Sequence, residues 1–384
     1  MSRRQFSLLL VVTLVVAAIV LLLPGRTGQE SGFTRTPFLP ELQQQVNDLE
    51  WLRGRGAGDR IIATLVRAED HWQVEEAHGY RADWERLRAL LSDLAQAEIV
   101  EAKTRNPDYY DRLGVEDVAA ADAGGLRIDF AEGSGLPGVI VGKRAEGRDG
   151  RYVRLADRAE SALIDRSLDL PEAAADWLEK DIVDIADTEV VQVDIVHPDG
   201  ERVTARKVSA DDEHFELEGV PEDREIRSAW TVDSLANALG SLTLEDVAPQ
   251  DRVAWDGAVE FALVTADGLR VEAALVAVQP AAAEADGKSA GEGAGADVAA
   301  AEHWIRLRAG LYQTALDSAV QAPGDIAGGE AGDDVVQEGQ DPAERAAEIN
   351  RRVEGWAYRI PKYKYDAMSK RLEDLLQAPA EEAS

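Results

Sequence analysis

Cysteine is missing from all 384 residues. Its absence excludes disulfides, thiolate metal sites, a cysteine nucleophile and lipid attachment through sulfur. Basic charge is scarce as well: 41 Lys+Arg stand against 73 Asp+Glu, a formal net charge of −32. A chain so acidic repels a phosphate backbone from nearly every face, which argues against nucleic acid as a partner. Histidine occurs five times, too thinly spread to advertise a metal site. What is plentiful is apolar character, 45% of residues, and a length that suits two domains with a core each.

The one long apolar run lies at the start. Arg3 and Arg4 precede Phe6 to Leu23, which only Ser7 and Thr13 interrupt. Eighteen helical residues at about 1.5 Å each span roughly 27 Å, close to a hydrocarbon core. The run has no polar face, stops at Pro24-Gly25, and offers no good small-residue cleavage site. The expectation is an uncleaved signal anchor over 1–25, with Phe6, Leu10, Leu14, Ile19 and Leu23 in the bilayer. The paired arginines keep the N-terminus in the cytoplasm and place the bulk outside the inner membrane, in the periplasm. Ser2-Arg3-Arg4-Gln5-Phe6 is also similar to a twin-arginine export signal, but no cofactor motif accompanies it.

A polar tether is expected over 26–45. Farther on, Gln279–Ala301 is almost all Ala, Gly, Asp and Glu, and Pro323–Gln340 is Gly-rich, acidic and free of Lys and Arg. Both read as solvated insertions. Between the tether and these stretches the chain repeats itself. Asp70-His71-Trp72-Gln73-Val74-Glu75 matches Glu213-His214-Phe215-Glu216-Leu217-Glu218 at an offset of 143. A hairpin pattern precedes each: Leu49–Leu52 and Ile61–Val66 around Gly54–Gly58, then Val191–Val196 and Val203–Val208 around Pro198-Asp199-Gly200. An amphipathic helix follows each. Trp84, Leu87, Leu90, Leu91 and Leu94 share a face in the first; Val232, Leu235, Leu239 and Leu242 do so in the second.

Strand patterns then recur at Leu126–Phe130, Val139–Gly142 and Arg151–Leu155, and again at Val259–Val264, Leu269–Val278 and Trp304–Leu307. The expected fold class is α+β. It comprises two tandem modules of antiparallel sheet plus amphipathic helix, 46–187 and 188–310, after one transmembrane helix. The second module carries the acidic insertion 279–301, a linker covers 311–340, and a C-terminal basic and aromatic segment covers 341–384. There Asp341-Pro342 starts a helix, Trp356–Ile360 reads as extended, and a last helix carries Met368, Leu372, Leu375 and Leu376.

Sequence formulas for chemistry fail on context. Gly133-Ser134-Gly135-Leu136-Pro137-Gly138 fits GxGxxG, yet a strand pattern follows where a phosphate-binding helix must start. Gly287-Lys288-Ser289-Ala290-Gly291 fits GxSxG but lies in the acidic insertion. His71, His214 and His303 each precede an aromatic, which reads as a turn leading into a buried strand position rather than as metal ligands. His78 and His197 sit in turns with no visible partner. No catalytic, cofactor-binding or metal residue is therefore assigned, and no cofactor is expected. One segment departs from the background: Arg351–Arg371 holds seven Lys/Arg against two Asp/Glu, interleaved with Trp356, Tyr358, Tyr363 and Tyr365. It reads as an internal basic element against acidic modules or as a surface for anionic headgroups or an acidic partner. Together with Tyr109 and Tyr110, the residues Trp356, Tyr358, Lys362, Tyr363 and Lys364 form the expected interaction surface.

Three segments carry a resemblance. They are the loop Asn106-Pro107-Asp108-Tyr109-Tyr110-Asp111-Arg112-Leu113-Gly114-Val115, the strand Val141–Arg144, and the ending Gly355–Lys364 with Arg371–Leu376. With the anchor and the repeated modules, they resemble the bacterial domain-of-unknown-function 4340 family. The resemblance implies an anchored extracytoplasmic protein, often accompanying ABC transporters similar to those of gliding-motility systems. It implies no catalytic residues. The second module departs by lacking the Asn106–Gly114 loop. The preferred expectation is a non-catalytic accessory or scaffold beside an ABC transporter or other envelope protein. The alternatives are an envelope glycan- or lipid-binding module using Tyr109-Tyr110, and a hydrolase with an unrecognised carboxylate pair.

Overall fold

A computed structural model of the chain describes residues 35–209, 212–279, 301–312 and 341–378. The run Phe6–Leu23 and the GxSxG match lie outside the described residues, as do nearly all of the two low-complexity stretches. Among the described residues no helix is long and apolar enough to cross a membrane. The fold is α+β, with large antiparallel sheets and few helices. The chain divides into two compact units: one runs to residue 72 and resumes over 84–173, and the other comprises 73–83 and the chain from 174 onward.

The strands of the first unit are β1 (Thr36–Pro37), β2 (Trp51–Gly56) and β3 (Arg60–Arg67), then, past β4 (Trp72–Val74) and β5 (Tyr80–Arg81), β6 (Glu98–Ala102), β7 (Leu126–Phe130), β8 (Val139–Arg144), β9 (Arg151–Leu155) and β10 (Ser161–Ile164). Its sheet has the order β1–β6–β10–β9–β8–β7–β2–β3. Alternation decides the faces. Leu52, Ile128, Val139 and Val153 share one buried face, Leu163 is buried on the other, and the Trp84–Gln96 helix buries Leu87, Leu90, Leu91 and Leu94. Trp84, counted on that face from its spacing, stands half exposed at 51%. The hairpin turn is tighter than the glycines predict: β2 continues to Gly56, and only Ala57–Asp59 turn, with Gly58 at φ 69°. The tether expected over 26–45 gives way by residue 36. Thr36 pairs with Ile99, and Phe38, Leu39 and Leu42 are buried.

The second unit holds the β4–β5 hairpin, where Gln73 pairs with Arg81 and Val74 with Tyr80. A two-stranded sheet joins β11 (Asp181–Val183) to β15 (Leu242–Thr243). The main sheet contains β12 (Val190–Val196), β13 (Arg202–Arg206), β14 (Glu216–Leu217), β16 (Asp246–Pro249), β17 (Val259–Thr265), β18 (Leu269–Val278), β19 (Glu302–Leu311) and β20 (Trp356–Arg359). Its order is β14–β13–β12–β17–β18–β19–β20–β16. The C-terminal segment thus does not stand apart: β20 lies between β19 and β16. The Pro342–Val353 helix starts as its sequence dictates, with the Asp341 carboxylate accepting from the Ala343 N–H and Pro342 at the first position. It packs along β18 and β19.

Two expected helices are broken. Val232, Leu235, Leu239 and Leu242 are all buried, but Ala229–Asp233 is one helical turn, Ala236–Leu239 a 3-10 turn, and Leu242 a strand residue. The last helix divides into Lys362–Met368 and Leu372–Leu375, and Met368, Leu375 and Leu376 stay inside.

Candidate functional site

The expected interaction residues separate into interior and surface. Tyr110 is buried; its hydroxyl donates to the Ala159 carbonyl at 2.5 Å, and the Arg154 guanidinium lies 4.8 Å over its ring. The loop around it is built to hold it. Asn106 caps the Asp108 N–H, Gly114 turns at φ 68°, and Lys143 donates to the Asp111 carbonyl at 2.9 Å. Only Tyr109 remains outside, under the guanidinium of Arg112 at 4.7 Å. The pair of exposed tyrosines expected for stacking is therefore one.

The C-terminal residues divide likewise. Tyr358 is fully buried and donates to the Arg352 carbonyl at 3.2 Å. Tyr80 meets it edge-on at 6.0 Å and meets Trp356 at 5.1 Å. Burial pushes the Tyr80 hydroxyl up to about 12 and raises that of Tyr358 too, so both stay protonated. Lys364 is also buried. Its ammonium donates to the carbonyls of Asn237, Ala238 and Gly240, closing the end of the 3-10 turn. Lys362 and Tyr363 are exposed, with Lys362 on Asp366 at 2.6 Å.

Ion pairs also tie the end of this segment to the rest of the unit. Arg371 holds Asp199 at 2.8 Å and also Glu201, while Arg224 grips Glu373 at 2.8 and 3.1 Å. The segment is largely an internal clasp.

Among the described residues no group of histidine and carboxylate side chains is placed to hold a metal ion. His71 leans on the carboxylate of Asp70 at 2.6 Å and His214 on that of Asp233 at 2.8 Å. His303 packs on Tyr365 at 4.6 Å. Between β7 and β8 stands only a 3-10 turn, Glu132–Ser134, and a strand rather than an α-helix follows Gly138, so the loop lacks the helix start a phosphate cradle needs.

The site that sequence reasoning missed is a groove of about 580 Å³ in the second unit. Its floor is the outward face of β17, β18 and β19. Register places Glu260 opposite Ala274 and Ala274 opposite Arg306; one step along, Ala262 stands opposite Glu272 and Glu272 opposite Arg308. Gln250, Asn350, Glu354 and Gly355 line it as well. The surrounding structure is pinned. Asn350 gives and takes a hydrogen bond with the Ala309 backbone at 2.8 Å, and the Gln250 N–H donates to the Gly355 carbonyl at 2.9 Å. Trp255 donates to the Gln250 carbonyl and lies 4.7 Å beneath the Arg306 guanidinium. The sequence hint was the alternation in Trp304-Ile305-Arg306-Leu307-Arg308, which sends both arginines to the face opposite Ile305 and Leu307.

Comparison with known proteins is narrow. No curated protein and no solved structure matches the chain. The match that exists begins at Trp72 and stops at Asp256, so it leaves out the ending Gly355–Leu376 and most of the groove. Over residues 72–256 the chain matches the family model described as Domain of unknown function (DUF4340).

Proposed function

We propose that this chain is a non-catalytic accessory protein, anchored in the cytoplasmic membrane by Phe6–Leu23 and working outside it beside an envelope partner, with an ABC transporter the first choice. The observation that carries the anchor is the apolar run itself, flanked by Arg3 and Arg4 on one side and Pro24 on the other. The test is fractionation. The full-length chain should stay in the membrane pellet through an alkaline wash, and an alkaline phosphatase fused to its C-terminus should be active. Recovery of the intact chain from the soluble cytosol would defeat the proposal. For the partner, crosslinking in intact cells followed by purification should enrich a transporter subunit; enrichment of none counts against that choice.

The two units are read as copies of one duplicated module. Support comes from strand order. Matching β2, β3, β7, β8 and β9 with β12, β13, β17, β18 and β19 makes the two sheets run alike, and the match extends to β10 with β20 and β6 with β16. Each copy then presents its own outward sheet face. The face in the second copy carries the groove, which favours a binding role over a purely mechanical one.

A further inference from the structure

We infer that the groove of the second unit binds a short zwitterionic peptide of about three residues. Its free carboxylate lies against Arg306 and Arg308, and its free amine against Glu260. This inference stands apart from membrane anchoring and from the transporter.

The floor explains the shape. Glu260, Ala274 and Arg306 stand in line on three adjacent strands, and only the middle one is small. Two strand spacings separate the backbones of the outer pair by roughly 10 Å, and among the described residues no ion pair joins them across the intervening methyl group. Three residues of extended peptide span about 10 Å. The opposite charges at the two ends therefore match a chain of that length with both termini free. Arg306 and Arg308, two residues apart on one strand, point to the same side and lie about 7 Å apart. That spacing lets both forks reach one carboxylate, the geometry guanidinium groups favour.

The charges are also available. Among the described residues, neither arginine has a carboxylate within ion-pairing distance. Glu272 faces Arg308 across the strands yet turns to Arg270 at 2.9 Å. Trp255 beneath Arg306 fixes that guanidinium by its face and leaves the edge donors open. Glu354 sits where the Pro342–Val353 helix ends, at the negative pole of its dipole. The last turn of that helix supplies Arg351 and Arg352, which offset the pole. Because Asn350, Gln250 and Gly355 are locked by backbone hydrogen bonds, little ordering opposes binding.

The experiment is titration calorimetry on the full chain in detergent micelles. The probes are trialanine, N-acetyl-trialanine and trialanine amide. Trialanine should bind saturably, and blocking either terminus should weaken it by about tenfold or more. Arg308→Gln should weaken trialanine to the same degree while leaving the amide form no weaker than before. Glu260→Gln should do the same with respect to the acetylated form. Both residues are exposed, so unchanged melting temperatures certify that the variants fold. Failure of trialanine to bind would overturn the inference. So would equal affinity for all three peptides, or a requirement for only one free terminus.

Discussion

A lysine among carbonyls behaves unlike a lysine in water. Burial lowers the affinity of Lys364 for its proton, opposed by Asp184, and the hydrogen bonds to Asn237, Ala238 and Gly240 hold the amine in place. Lys364→Met is expected to lower unfolding free energy by about 1–3 kcal/mol, because three carbonyls lose their donor. Urea denaturation at neutral pH measures this. Asp267 is shifted the same way for a different reason. Burial raises its affinity for a proton, but the Thr265 hydroxyl, the Leu269 N–H and Arg345 at 2.8 Å outweigh it and hold the carboxyl below its usual range. A carboxylate depressed in the folded state stabilises above its unfolded value and loses that contribution as pH falls through the folded one. The urea midpoint of Asp267→Asn should therefore decline less than the parent's between about pH 5 and pH 3. Neither role is legible in sequence. Lys364 sits in a run that looks like a solvated cationic face, and its acceptors lie more than 120 residues away. Tyr110 was misplaced for the same reason, since the carbonyl that fixes it belongs to Ala159.

Elements were legible where one periodicity governs them. The Trp84–Gln96 helix and strands β7, β9 and β18 follow their apolar spacing closely. The second amphipathic stretch kept its buried face but not its helix. Thr231, Val232, Asp233, Ser234 and Asn237 are weak helix formers, and Gly240 ends the stretch, so tertiary packing sets the local form. Close backbone approach is invisible from sequence. A methyl on Gly142 would lie 2.2 Å from the Leu113 carbonyl, whereas one on Gly133 meets nothing within 4 Å. Gly142→Ala should destabilise by about 1–3 kcal/mol in thermal melts, with Gly133→Ala close to the parent. The β16 edge shows a different device. The Asp246 carboxylate takes the Val247 N–H at 2.9 Å, and Pro249 has none to offer. Replacing both, as Asp246→Ala with Pro249→Val, frees two donors along that edge. Light scattering should then report association at concentrations where the parent is monodisperse.

At the scale of the molecule, the repeat at an offset of 143 pointed to two similar units, and both sheets exist. Their boundaries were not readable. Residues 73–83, which the repeat assigns to the first copy, belong to the second unit, where Tyr80 packs on Trp356 and Tyr358. The last segment belongs there as well. Pairing partners separated by over a hundred residues leave no periodic trace, as Val247 with Tyr358 illustrates. A chain stopped after Gln340 lacks β20, so chymotrypsin should cut it within 190–312 under conditions that spare the intact chain, a difference a gel resolves. The placement of β20 also sets a clock. The second sheet is completed by a stretch that follows β16 by more than a hundred residues, so the ribosome must release everything through β20 before the gap between β19 and β16 can be filled. A molecule paused before β20 therefore presents two raw borders to any protease, and translation past Arg359 lets it seal them.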